Sequence, residues 1–166
     1  MKRITAFLLS AVFAAAVSVT AVSAEPNEQT PEARKSEVTI STSVAPTYIV
    51  SIPANTNVAF NAAKTDLGAV TLDSARLAPD KAVRVTITSD FDLNNSTDNT
   101  VVIPYTLKAA KGTAEETVGA GYAATLQNAG DKVDLTINIT QADWDAAAAG
   151  NYSDTVTFNI AYVDAV

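Results

Sequence analysis

The sequence has no cysteine and no histidine among its 166 residues. Without cysteine there are no disulfides and no thiolate nucleophiles. Without histidine, Ser-His-Asp and Cys-His machinery is excluded, and with both missing nearly every zinc or haem site goes too. Basic residues are also scarce: 11 Lys+Arg stand against 18 Asp+Glu, for a net charge of −7. That balance argues against a nucleic-acid partner, which requires a basic footprint. Aromatic residues make up 7%, with a single tryptophan. What is abundant is small and apolar. Hydrophobic residues reach 48%, enough to build a packed core without disulfides. By elimination the chain reads as non-enzymatic, with no cofactor.

The first segment is built for export. Lys2 and Arg3 precede an apolar run from Ile4 to Val22, and Val22-Ser23-Ala24 places small residues at a cleavage site. Residues 1–24 are expected to be a secretory signal peptide of the short bacterial kind, leaving a mature chain that begins at Glu25. No membrane span is expected after cleavage. Residues 25–36 (EPNEQTPEARKS) are polar, with Pro26 and Pro31, and read as a flexible leader. Residues 37–166 read as one domain. The expected location is extracellular or on the cell surface.

From Glu37 onward the dominant period is two. Val38, Ile40 and Thr42 alternate with polar neighbours, as do Val83, Val85 and Ile87, and Tyr48, Val50 and Ile52 follow the same period although Ile49 breaks strict alternation. The same rhythm runs through Val133, Leu135, Ile137 and Ile139, and through Val156, Phe158, Ile160 and Tyr162. Each run predicts a half-buried strand. Weaker strands are expected at 56–60, 67–72, 101–108 and 122–127. Pro104 should place its strand at an edge or bulge, since proline cannot donate to a ladder. Turn clusters are read at Pro53-Ala54-Asn55, Ala78-Pro79-Asp80, Asn94-Asn95-Ser96 and Ala129-Gly130-Asp131. Thr140-Gln141-Ala142-Asp143 has the form of a capping box, with Gly150 as the expected C-terminal cap. The fold class predicted is all-β: an immunoglobulin-like antiparallel β-sandwich with one short helical crossover near 141–149. Trp144 is expected to plug one end of the core, the alternative being a sugar-stacking aromatic.

Few residues suggest chemistry. Asp90, Asp92, Asn94 and Asp98 place oxygens at the alternating positions that open a calcium loop. Asn95 stands where the turn glycine belongs, and Val101 where the bidentate glutamate belongs, so they form a weak calcium candidate only. Asp143 and Asp145 flank Trp144 and could be read as a hydrolase pair. Two residues apart in a helix, they do not share a face, and Asp143 is better explained as a cap. Tyr152, entering the strand after the crossover, has the position of a tyrosine corner, whose hydroxyl ties to the backbone upstream.

The stretch Ala149-Gly150-Asn151-Tyr152-Ser153-Asp154-Thr155-Val156-Thr157-Phe158-Asn159-Ile160-Ala161-Tyr162 is similar to the last strand of spore-coat-U-type and chaperone–usher pilin-like domains. That resemblance implies a secreted β-sandwich that assembles surface fibres or coats. The chain departs from such pilins in having no disulfide and a polar leader, so only Glu37 to Val44 could donate a strand. The function expected is a secreted bacterial surface or extracellular structural or adhesive subunit. It would act by protein–protein interaction without catalysis, through self-association or contact with other surface proteins at strand edges. The alternative is a secreted carbohydrate- or calcium-binding module, with a glycan as partner.

Overall fold

In the computed structural model, residues 37–165 are described. The expected signal peptide (1–24) and leader (25–36) lie outside them. Eleven strands and one helix follow in order: β1 Thr47–Ser51, β2 Lys64–Arg76, β3 Lys81–Thr88, β4 Asp92–Asn95, β5 Val102–Pro104, β6 Thr106–Lys111, β7 Ala114–Thr117, β8 Ala123–Leu126, β9 Lys132–Asn138, α1 Gln141–Ala146, β10 Tyr152–Ser153 and β11 Thr157–Asp164.

One layer is a five-stranded sheet in the order β1-β2-β9-β6-β7. Opposite it stand two three-stranded groups, β10-β4-β5 and β11-β3-β8. These two groups share a single ribbon: β4 follows β3, and β10 precedes β11, so residues 81–95 pair antiparallel with 152–164, interrupted at 89–93 and 154–156. The alternation read in the sequence is what buries the core. Val83, Val85 and Ile87 face inward from β3, and Val133, Leu135 and Ile137 from β9, joining Val70, Leu72, Leu107 and Leu126 in one cluster. The result is an all-β antiparallel sandwich with one short helix.

Several local expectations are corrected. Residues 37–46 form no strand, and Val38 and Ile40 are 86% and 94% exposed. An alternating run becomes a strand only with a neighbour to ladder against, and here none is supplied. Residues 56–60 are likewise an irregular wall between β1 and β2. The run at 101–108 divides at Tyr105. Its first part, β5, is an edge strand holding Pro104 and pairs with β4, whereas β6 crosses to the other layer and pairs with β9. Asn94 and Asn95, expected in a turn, belong to β4. There Asn95 is buried, and its Oδ1 accepts from the Thr97 and Asp98 amides at 2.9 and 3.3 Å. Strands β4, β7 and β10 had no alternating signal, because they are short and polar.

The helix begins as expected. Thr140 is its N-cap and accepts from the Asp143 amide at 3.2 Å, while Asp143 is bonded to the Thr140 hydroxyl. It ends earlier than expected. Ala147, in an extended conformation, is the C-cap, and Gly150 instead passes close to Asn95.

Candidate functional site

The edge of the sandwich between β1 and β10–β11 is closed at one end and open at the other. At the closed end Tyr48 of β1 stacks on Tyr162 of β11, with ring centroids 6.1 Å apart. The Tyr162 hydroxyl there accepts from the Ala78 amide at 2.9 Å. At the open end, residues 52–58 after β1 and residues 147–158 before and into β11 line a cleft of about 950 Å³. The two edges therefore run in opposite directions. The cleft reaches core side chains: Leu93, Ile103, Ile137 and Trp144 lie in its wall.

Each wall has a local cause. On one side a bulge in β2 puts Gly68 at φ +105, with its amide bonded to Asp66 Oδ1 at 2.8 Å. That backbone conformation is what calls for glycine, and Pro53 of the 52–58 wall lies in ordinary contact distance of the position. On the other side, α1 turns Trp144 inward, and its Nε1 donates to the Ala62 carbonyl at 3.1 Å. Phe60, 75% exposed, meets the Trp144 ring edge-on at 5.5 Å. Trp144 is thus a buried plug, and Phe60 is the aromatic left open at the rim. The Tyr152 hydroxyl donates to the Ala148 carbonyl at 2.8 Å, the backbone tie expected of a tyrosine corner.

A polar network sits where the ribbon is interrupted. Asp154 Oδ2 accepts from the Ser89 hydroxyl at 2.6 Å and from the Tyr105 hydroxyl at 2.5 Å. Its Oδ1 accepts from the Thr155 amide. Burial opposes the charge on Asp154, but the bonds from Ser89, Tyr105 and Thr155 outweigh it and hold the carboxyl below the ordinary range. The Tyr105 hydroxyl is pushed well above its usual value, first by burial and then by Asp154. Ser89 also accepts from the Phe91 amide at 2.8 Å, which holds Phe91 at φ 60, a conformation uncommon for an aromatic residue. Both carboxylate oxygens are engaged internally. The network locks the break between β10 and β11.

Three of the four calcium candidates lie together, since Asn94 Nδ2 donates to Asp90 Oδ2 at 3.4 Å and the Asp92 amide to Asp90 Oδ1 at 3.5 Å, but Asp98 is turned to its own loop. Asp92 and Asn94 lie in β4, and Asn94 Nδ2 donates to the Asp92 carbonyl at 2.9 Å. Asp98 caps its own turn, accepting from the Thr100 amide at 3.0 Å and hydroxyl at 2.6 Å. Asp90 is exposed. Among the described residues no group of three or more acidic, histidine or cysteine side chains could hold a metal ion. Asp145 Oδ1 accepts from Gln141 Nε2 at 2.9 Å, and Asp143 serves the cap, so the two share no site.

The open edge itself was not legible in the sequence, because it depends on which strands neighbour which. Along Tyr152–Asp164 the outer side has no neighbouring strand among the described residues. No described helix is long and apolar enough to cross a membrane.

No protein-family model matches the chain. No curated protein matches it either. Among solved structures, a chain from a chaperone–tip adhesin complex of CFA/I fimbriae biogenesis superposes with a TM-score of 0.48 at 12% identity. That match covers 71% of this chain and 42% of the other, so this chain spans less than half of its length.

Proposed function

We propose that this protein is a secreted surface subunit with a structural or adhesive role, acting by protein–protein interaction and not by bond chemistry. Its partner in this reading is a second copy, joined by strand addition. The observation that carries it is the pairing of two unsatisfied features. One is the unpaired edge over a cleft that opens to the core. The other is the segment 37–44, which forms no strand and whose Val38, Ile40 and Val44 are 86%, 94% and 65% exposed. An added strand uses backbone bonds for affinity and alternate side chains for specificity. The alternation of Val38, Ile40, Thr42 and Val44 suits an edge whose inward positions are Phe158, Ile160 and Tyr162.

The test is deletion of residues 25–44. The full mature protein should form concentration-dependent assemblies, seen by light scattering and electron microscopy, and the deletion should remain a folded monomer. A full-length protein that stays monomeric at high concentration would overturn the reading. Export is checked by intact mass, which should begin at Glu25.

A second reading, a carbohydrate-binding module, is favoured by one observation: Phe60 is exposed at the cleft rim beside Trp144. Aromatic faces at such a rim can stack on sugar rings. Glycan-array binding lost on Phe60→Ala would support it.

A further inference from the structure

The closed end of the edge bears on how 37–44 can be used. β1 begins at that end, where Tyr48 stacks on Tyr162, and runs toward the open cleft. The segment 37–44 precedes β1 by only Ala45 and Pro46. Val44 lies beside Arg76, Leu77 and Pro79, at the closed end. To lie along its own β11, the segment would have to reverse between Val44 and Thr47 and run parallel to β11. Its length is suitable: it has eight residues, as does β11. Reach alone therefore does not prevent a subunit from filling its own cleft.

The hinge does. In a reversal over Val44-Ala45-Pro46-Thr47, proline would occupy the third position. There it pushes Ala45 out of the helical region that the common type I turn needs, and so disfavours that turn. Proline also fixes its own φ and keeps the preceding residue extended. The described conformation agrees: 37–46 contains no turn, and Val38 and Ile40 stand away from the body.

We propose that Ala45–Pro46 is a splint that holds 37–44 off the cleft of its own molecule and so reserves the segment for a second copy. This rests on the strand-addition reading above and adds its regulation. An apolar strand tethered next to its own acceptor has a large advantage in effective concentration. Unless the hinge opposed closure, each subunit would satisfy itself and assembly would stop. Pro46 is exposed and precedes β1, so its replacement disturbs no core contact.

The absence of native cysteine makes the test clean. Thr39→Cys and Asn159→Cys are combined in one chain, with Pro46 kept or changed by Pro46→Gly, and oxidised at several protein concentrations. Both positions are exposed. With Pro46 kept, disulfides should join separate chains and increase with concentration. With Pro46→Gly, the bond should form within one chain, at a yield independent of concentration. The ratio of internal to intermolecular product should rise by about tenfold, the change that ~1.4 kcal/mol produces. Equal ratios in the two backgrounds would overturn the splint while leaving strand addition standing, provided intermolecular bonds form. Internal closure in the protein that keeps Pro46 would also overturn it. No cross-link in either background, with the fold intact by circular dichroism, would overturn both readings.

Discussion

Gly150 offers the sharpest test of the packing where the ribbon enters its last strand. A Cβ at Gly150 would sit 2.3 Å from Asn95 Nδ2 and 3.1 Å from Asn95 Cγ. Asn95 cannot move without loss, since its Oδ1 holds the Thr97 and Asp98 amides and its residue pairs with Tyr152. In Gly150→Ala the amide must swing away and release both bonds. At about 1 kcal/mol net for each, the expected cost is about 2 kcal/mol. Asn95→Ala removes the same two bonds directly and should cost a similar amount. The double variant is the decisive one. With Asn95 truncated the new methyl meets no clash, so the double variant should cost about 2 kcal/mol, well below the sum of the two single costs. Urea unfolding reads this directly: with a slope of 1–3 kcal/mol per molar, each single variant should move the midpoint by roughly 1 M. A Gly150→Ala protein within about 0.5 kcal/mol of wild type would refute the argument, as would additive costs.

Other outcomes follow from the same geometry. Asp154 is held below its unfolded value near 3.9, so its contribution is fully present above that value and is lost as pH falls through and below it. Asp154→Asn should therefore remove part of the acid-side slope of stability, measured as thermal midpoint against pH; an unchanged slope would count against the network. Phe158 and Ile160 on the edge strand β11, and Val156 just before it, are half-buried, so the full cost of a core aromatic does not apply. Phe158→Ala should cost about 2 kcal/mol, near the value of burying such a ring, and Thr157→Ala under about 0.5 kcal/mol. Equal effects at 157 and 158 in denaturant unfolding would mean that the inward face is misassigned.

By itself the sequence determined which side of each long strand is apolar. Val83, Val85 and Ile87, and Val133, Leu135 and Ile137, face the core because side chains alternate with period two whatever the neighbours are. It also determined the start of the helix, since the Thr140 cap is a local bond to the Asp143 amide. Non-local pairing lay beyond it. Segment 37–44 alternates as well as β1 does, yet only β1 found a partner strand in β2. Asn94-Asn95-Ser96 reads as a turn, but the ribbon supplies neighbours on both sides of Asn94 and Asn95 and places them in a strand. Ser89, Tyr105 and Asp154 are far apart in sequence, and only the packing of three chain segments brings their oxygens together. Alternation is written in each residue and its neighbours. Pairing is a relation between distant segments, so tertiary structure alone decided which edge stayed open and which alternating segment was left without a sheet.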